Sequence, residues 1–192
     1  MATPVFIATG AFDCGKTTTL EHLRAHHGRR IHAEAHLRAL ASLGDRREGH
    51  PPDQAFARID DPRHLCPMCR PWDFAELVLA HQRTIEARAA PGDLLERGYL
   101  DPIEMLLRNT GDDAGPRPRW TPVARYVRVL LFGVMPQLQR PRWTKTQTQR
   151  AAEAEAINRR LEGLYREAGF TVVSIPPGSV EARARLVLEL IQ

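Results

Sequence analysis

Lys16 stands in the run Gly10-Ala11-Phe12-Asp13-Cys14-Gly15-Lys16-Thr17-Thr18, which fits the spacing G-x-x-x-x-G-K-[ST]. Two glycines at that spacing let a backbone wrap until consecutive N–H groups face a phosphate. A helix starting after Gly15 would add its partial positive charge. Lys16 would then reach the β and γ phosphates, and the Thr17 hydroxyl would ligate Mg²⁺. An apolar run at 5–9 leads in and a segment with helical spacing at 17–27 leads out, the order this chemistry requires. The spacing predicts nucleotide binding at 10–18 without fixing what the nucleotide is used for. Asp13 is the odd member. Its carboxylate would weaken phosphate binding unless it faces away, toward a second substrate's hydroxyl or a cation. Cys14 is expected to be a small packing residue.

Two further carboxylates sit where ligands gather in open α/β sheets, just past short apolar runs. In Leu94-Leu95-Glu96-Arg97-Gly98-Tyr99-Leu100-Asp101, Glu96 could hold Mg²⁺ and Arg97 could grip a phosphoryl group. In Ile31-His32-Ala33-Glu34-Ala35, Glu34 is either functional or an ordinary acidic residue in a helix's first turn.

His64-Leu65-Cys66-Pro67-Met68-Cys69 holds a C-x-x-C knuckle beside a histidine. Tetrahedral zinc needs four ligands. A second C-x-x-C is absent, so a structural Zn²⁺ on Cys66, Cys69 and His64 would have to recruit His50, His81 or a partner chain. Plain thiols and a redox pair are the other readings.

These residues need a scaffold, and the hydropathy pattern supplies one. Short β-rich runs fall at 5–9, 31–33, 94–95, 126–132 and 171–175, with helical spacing at 17–27, 35–43, 74–89, 151–168 and 180–191. Gly169 is a natural C-terminal stop for one helix and Ser179 a plausible N-cap for the next. Strands alternating with helices predict an α/β fold, a parallel sheet covered on both faces. The 192 residues suit a single domain, 1–192, interrupted by Pro-, Arg- and Asp-rich insertions at about 44–73 and 109–122.

Composition bounds the partners. Hydrophobic residues make up 43% and charged residues 26%, a globular balance. No apolar run approaches a membrane span, and MATPVFIATG resembles a first strand more than a signal peptide, so a cytoplasmic location is expected. Three cysteines fit a reducing compartment. The net charge of +4 invites a nucleic-acid reading, but only Lys16 and Lys145 of the 27 basic residues are lysine and the arginines are spread along the chain. A solvated Arg-rich surface is the plainer account, and nucleic acid is not the expected partner.

Taken in order, the phosphate loop, Glu34-Ala35, Glu96-Arg97-Gly98-Tyr99-Leu100-Asp101 and the ending Leu164-Tyr165-Arg166-Glu167-Ala168-Gly169-Phe170-Thr171-Val172-Val173 through Ser179-Val180-Glu181-Ala182-Arg183 resemble one family. It is the small AAA-like P-loop ATPases and kinases grouped with ribosylnicotinamide kinases and related to nucleoside and nucleotide kinases. The resemblance implies a P-loop fold with a five-stranded parallel sheet, the phosphate-loop strand at its centre. It implies ATP with Mg²⁺ and an Arg-bearing lid at 139–150, with Arg140 and Arg142 neutralising the moving phosphoryl group. It places Glu34 where related deoxynucleoside kinases put a base near the acceptor hydroxyl, and Glu96-Arg97 on their acidic-Arg pair. By position, Gly178, Ser179 and Val180 would border the adenine. The expected function is an ATP- and Mg²⁺-dependent phosphotransferase acting on a small metabolite, nucleoside or nucleotide. The alternatives are a P-loop ATPase or GTPase switch without a small-molecule acceptor, and a nucleic-acid 5′-kinase or binding protein. A homodimer is an open case.

Overall fold

The computed structural model describes residues 2–42, 67, 70–111, 121–142 and 144–192. Five strands, β1 (Pro4–Thr9), β2 (Ile31–His32), β3 (Leu94–Glu96), β4 (Arg125–Phe132) and β5 (Val172–Ile175), form one sheet in the order β2-β3-β1-β4-β5. Every pairing is parallel, and β1 lies at the centre as the resemblance implies. Parallel strands all end on the same edge of the sheet. That edge therefore collects Gly10 after β1, Glu34 after β2 and Glu96-Arg97 at the end of β3.

Alternation along β1 sorts its side chains. Val5 and Ile7 pack with Leu95, Val129 and Leu131 under α2 (Ala35–Ser42), α3 (Pro71–Arg88), α4 (Leu100–Thr110) and α5 (Gln147–Glu167). Phe6 and Ala8 pack with Leu94, Leu130 and Phe132 under α1 (Lys16–His27) and α6 (Val180–Leu190). Both faces are apolar because both are covered. Among the described residues no helix is long and apolar enough to cross a membrane.

The expected helices appear with ends shifted by a few residues. Gly169 adopts φ 85° just beyond α5, and the Ser179 hydroxyl accepts from the Ala182 N–H to cap α6. Helix α4 was not expected. It buries Leu100, Asp101, Pro102, Ile103, Glu104, Leu106 and Leu107: its apolar residues do recur at helical spacing, but Asp101 and Glu104 stand among them on buried faces. Pro102 resembles a breaker in the sequence, yet within a first turn its missing N–H has no intrahelical partner to lose. The segment expected as an insertion up to residue 122 thus begins inside α4, and the one expected up to residue 73 overlaps α3. The proposed zinc ligands His64, Cys66 and Cys69 lie outside the described residues.

Candidate active site

The phosphate loop is held from outside by three elements. Gly10 (φ 144°) sits against Phe132, where a Cβ would lie 2.8 Å from the carbonyl oxygen. At Gly15 (φ 68°) a Cβ would meet the Arg183 guanidinium at 2.7 Å, so a side chain at either place would strain the loop. Asn158 of α5 accepts from the Ala11 N–H (2.7 Å) and donates to the Phe132 carbonyl (2.8 Å), tying the loop to β4. Gln139 donates to the carbonyls of Phe12 (3.3 Å) and Asp13 (3.1 Å), and Arg183 of α6 donates to that of Cys14 (2.8 Å). With those carbonyls engaged from behind, a cavity of about 610 Å³ opens along residues 11–18. Its size suits a small-molecule ligand.

Asp13 adopts φ 49°, a left-handed conformation that aspartate tolerates better than most residues. Its carboxylate meets Arg150 at 3.1 Å, and the same guanidinium lies 3.6 Å over the Phe12 ring. The unwanted charge is neutralised locally. Arg150, expected in a lid, is instead buried at the first turn of α5 beside the loop.

Lys16 and Thr17 share one carboxylate. The Lys16 ammonium lies 2.5 Å from Glu96 Oε1, and the Thr17 hydroxyl donates to the same oxygen at 2.6 Å. Register explains the meeting: Ala8 pairs with Glu96, so the end of β3 lies beside the start of the loop. A hydroxyl and a carboxylate are hard oxygen ligands, the set Mg²⁺ takes when phosphate and water complete its shell. The donor set fits the ion. Among the described residues no group of three or more His, Cys, Asp or Glu side chains could hold a metal.

Arg97 is the hub of the second half of the site. Its backbone is left-handed (φ 70°), a strained state for a side-chain-bearing residue. Three contacts hold it: Nε to Glu34 Oε2 (2.5 Å), and NH1 to the Gly10 carbonyl (3.1 Å) and to Asp101 Oδ1 (2.9 Å). Asp101 in turn accepts from the Thr9 hydroxyl (2.6 Å), the Gly98 N–H (3.0 Å) and the Tyr165 hydroxyl (2.7 Å). Burial raises the Tyr165 hydroxyl well above its ordinary pKa, and the Asp101 charge adds to it, so that proton stays on the tyrosine.

Burial alone would raise the Glu34 carboxyl, but the charges of Arg97 and Lys16 outweigh it and bring it down to about 2 from 4.5. A carboxylate depressed on folding contributes stability above its unfolded value and loses it as pH falls through its folded value. Glu34→Gln is therefore expected to destabilise the protein by about 3 kcal/mol at neutral pH. The gap from wild type should narrow as pH falls from about 4.5 toward 2. Urea midpoints across that range check it. A gap independent of pH would remove Glu34 from the ion pair.

A second, smaller cavity of about 140 Å³ adjoins the first, walled by α3, α4 and α5. Glu34, Arg97, Ala11 and Phe12 line both. Of the expected site residues, the structure brings together Lys16, Thr17, Glu34, Glu96 and Arg97. Arg140 is exposed on the larger cavity. Arg142 pairs its backbone with that of Lys145 in a short bridge before α5 and is not among that cavity's lining residues. Gly178 and Ser179 are exposed, Ser179 serves as the cap of α6, and neither they nor Val180 line either cavity. Asn158 and Arg183 were not expected, and Gln139, expected at the start of the lid, instead clamps the loop from behind. One signal existed: the buried stripe Ala154, Ile157, Leu161, Tyr165, continued one turn back, lands on Arg150. Arg183 likewise interrupts the buried stripe of α6. A charge in an apolar stripe marks a packed functional contact.

A family profile described as an AAA domain matches residues 5–183. Comparison with curated proteins finds no significant match. Among solved structures, the chain is similar to deoxyadenosine kinase from M. mycoides with bound dATP, at 10% identity over 98% of both chains, with a TM-score of 0.56. It is also similar to shikimate kinase from Acinetobacter baumannii in complex with shikimate, at 17% identity over 100% of this chain and 93% of that one, with a TM-score of 0.50. Those two likenesses concern the fold, which is that of small P-loop kinases. With the profile spanning nearly its whole length and the phosphate loop on its central strand, the chain belongs to the AAA domain family of P-loop proteins.

Proposed function

We propose that this protein is a phosphotransferase that moves the γ-phosphoryl group of ATP onto a hydroxyl of a small acceptor in the cytoplasm. The observation that carries the reading is the pair of adjoining cavities with Glu34 and Arg97 on their shared wall. A hydrolase or a nucleotide switch has no use for a second walled compartment beside the phosphates.

In this reading the loop 10–18 and Lys16 bind the triphosphate in the larger cavity. Thr17 and Glu96 would hold Mg²⁺, which would supply positive charge against the phosphates. Glu34 accepts a hydrogen bond from the acceptor hydroxyl and aims its oxygen at the γ-phosphorus. The oxygen–phosphorus bond forms, the bond from phosphorus to the ADP oxygen breaks, and the hydroxyl proton leaves to water. Glu34 is too acidic beside Arg97 and Lys16 to be a strong resting base, so orientation is its main contribution. Arg140 and Arg142 act as the lid cations, and 178–180 borders the adenine at the end of β5.

Two substitutions separate the roles. Glu96→Gln should weaken Mg²⁺ dependence and lower all turnover. Glu34→Gln should keep nucleotide affinity and background hydrolysis while losing about a hundred- to ten-thousandfold of transfer. Calorimetric ATP affinity beside hydrolysis and transfer rates is the check. If both variants change hydrolysis alike and transfer is never seen, the switch ATPase is the better account.

A further inference from the structure

The smaller cavity has polar groups at both ends and an apolar wall. Glu34 and Arg97 stand where it meets the phosphate loop. Arg108 stands at the far end of α4, seven residues beyond Asp101, or about 10 Å along the helix axis. Val78, Met105 and Ile157 supply apolar wall.

The charge around Arg108 is unbalanced. Its Nε donates to Glu104 Oε2 at 3.4 Å, but Glu104 is buried and already accepts two N–H groups of Arg160 on Oε1, at 3.0 and 2.8 Å. Arg108 NH1 is 4.0 Å from Glu153, which the Lys145 ammonium occupies at 2.9 Å. Arg108, Arg160 and Lys145 thus face Glu104 and Glu153, one positive charge in excess at this end of the cavity, while Glu34 and Asp101 share Arg97 at the other. Among the described residues NH1 and NH2 of Arg108 make no hydrogen bond, and its side chain is 31% exposed. A guanidinium fork with N–H groups to spare is the natural receptor for a planar carboxylate.

We propose that the acceptor is a compact hydroxycarboxylate, its hydroxyl at Glu34 and its carboxylate on Arg108. This rests on the phosphotransferase reading and narrows it. A single excess charge matches a carboxylate better than a phosphate dianion. At about 140 Å³ the cavity is smaller than the roughly 300–1,000 Å³ of pockets that enclose drug-sized ligands. That disfavours a whole nucleoside, which would also bring no counterpart for the Arg108 charge.

The test uses the full chain with Mg·ATP and mass detection of products. The probes are glycerate, pantoate, mevalonate, shikimate and quinate, the primary amide of each, 3-phosphoglycerate, and adenosine, cytidine and ribosylnicotinamide. At least one hydroxycarboxylate is expected to be phosphorylated, with a KM about ten- to a hundredfold below that of its amide. Arg108→Gln should raise the KM for the acid by a similar factor, hold kcat within about threefold and erase the preference over the amide. Arg108→Lys should restore part of it, which a purely structural role would not do. A nucleoside, an amide or 3-phosphoglycerate used better than every carboxylate would overturn the assignment while leaving the phosphotransferase reading intact, as would an acid KM unmoved in a folded Arg108→Gln. ADP formed with no phosphorylated product from any probe would remove both.

Discussion

Lys16→Ala is expected to lower Mg·ATP turnover by about a hundred- to a thousandfold, the cost of losing one preorganised charge on a developing phosphate. The geometry adds a second effect. Lys16 is only 4% exposed and is ion-paired with Glu96, itself 6% exposed. Its side chain points into the site, which argues for an intact fold, but its removal strips a buried carboxylate of its cation. Glu96 keeps the Thr17 hydroxyl and borders an open cavity, so the expected loss of stability is about 1–3 kcal/mol. Turnover should therefore fall far more than the melting temperature. Rates measured beside thermal unfolding check it. A folded variant with wild-type turnover would sink the phosphate-loop reading.

The largest stability effect is expected at Asp101. One buried carboxylate joins Thr9 at the end of β1, Arg97 and Gly98 after β3, and Tyr165 near the end of α5. Asp101→Asn would replace an all-acceptor group by one with two donors facing four donors, and would leave the Arg97 guanidinium with only Glu34 as a charge partner. Breaking a buried ion pair on one side costs about 3–5 kcal/mol. Arg97 would also lose a contact that holds its left-handed backbone, so transfer should fall even where the protein remains folded. Denaturant unfolding and transfer rates at low temperature measure the two parts. A change under about 1 kcal/mol would mean that the four hydrogen bonds are not formed together in solution.

Much of this site was legible from local pattern. The glycine spacing, a strand before it and a helix after it identify the loop because the chemistry demands that local order. Parallel topology then brings Glu34 and Glu96-Arg97 to the same edge from separate segments. What could not be read is contact at long range. Gln139, Arg150, Asn158 and Arg183 lie far from the loop in sequence, and nothing local tells a loop-clamping arginine from the other arginines of an Arg-rich chain. The lid is the instructive case. As a basic stretch, 139–150 looked like a single functional unit, yet the structure divides it. Gln139 and Arg150 are buried against the loop, whereas Arg140 stays exposed on the cavity. Asp101 could be seen but not interpreted, because a carboxylate just past the Glu96-Arg97 pair resembles a second catalytic acid until its four donors are counted. Helix α4 escaped because Pro102 in its first turn resembles a breaker and because the carboxylates Asp101 and Glu104 interrupt its apolar face.

The central claim is transfer to an organic hydroxyl, and the most direct measurement is the fate of the γ-phosphoryl group. ATP labelled in that group, Mg²⁺ and the purified full chain are incubated with a metabolite mixture, and labelled products are separated and weighed by mass spectrometry. The account predicts one dominant phosphorylated organic product, formed in step with ADP and lost in Glu34→Gln while slow release of labelled inorganic phosphate persists. Label appearing only as inorganic phosphate, at the same rate with and without the mixture, would contradict it.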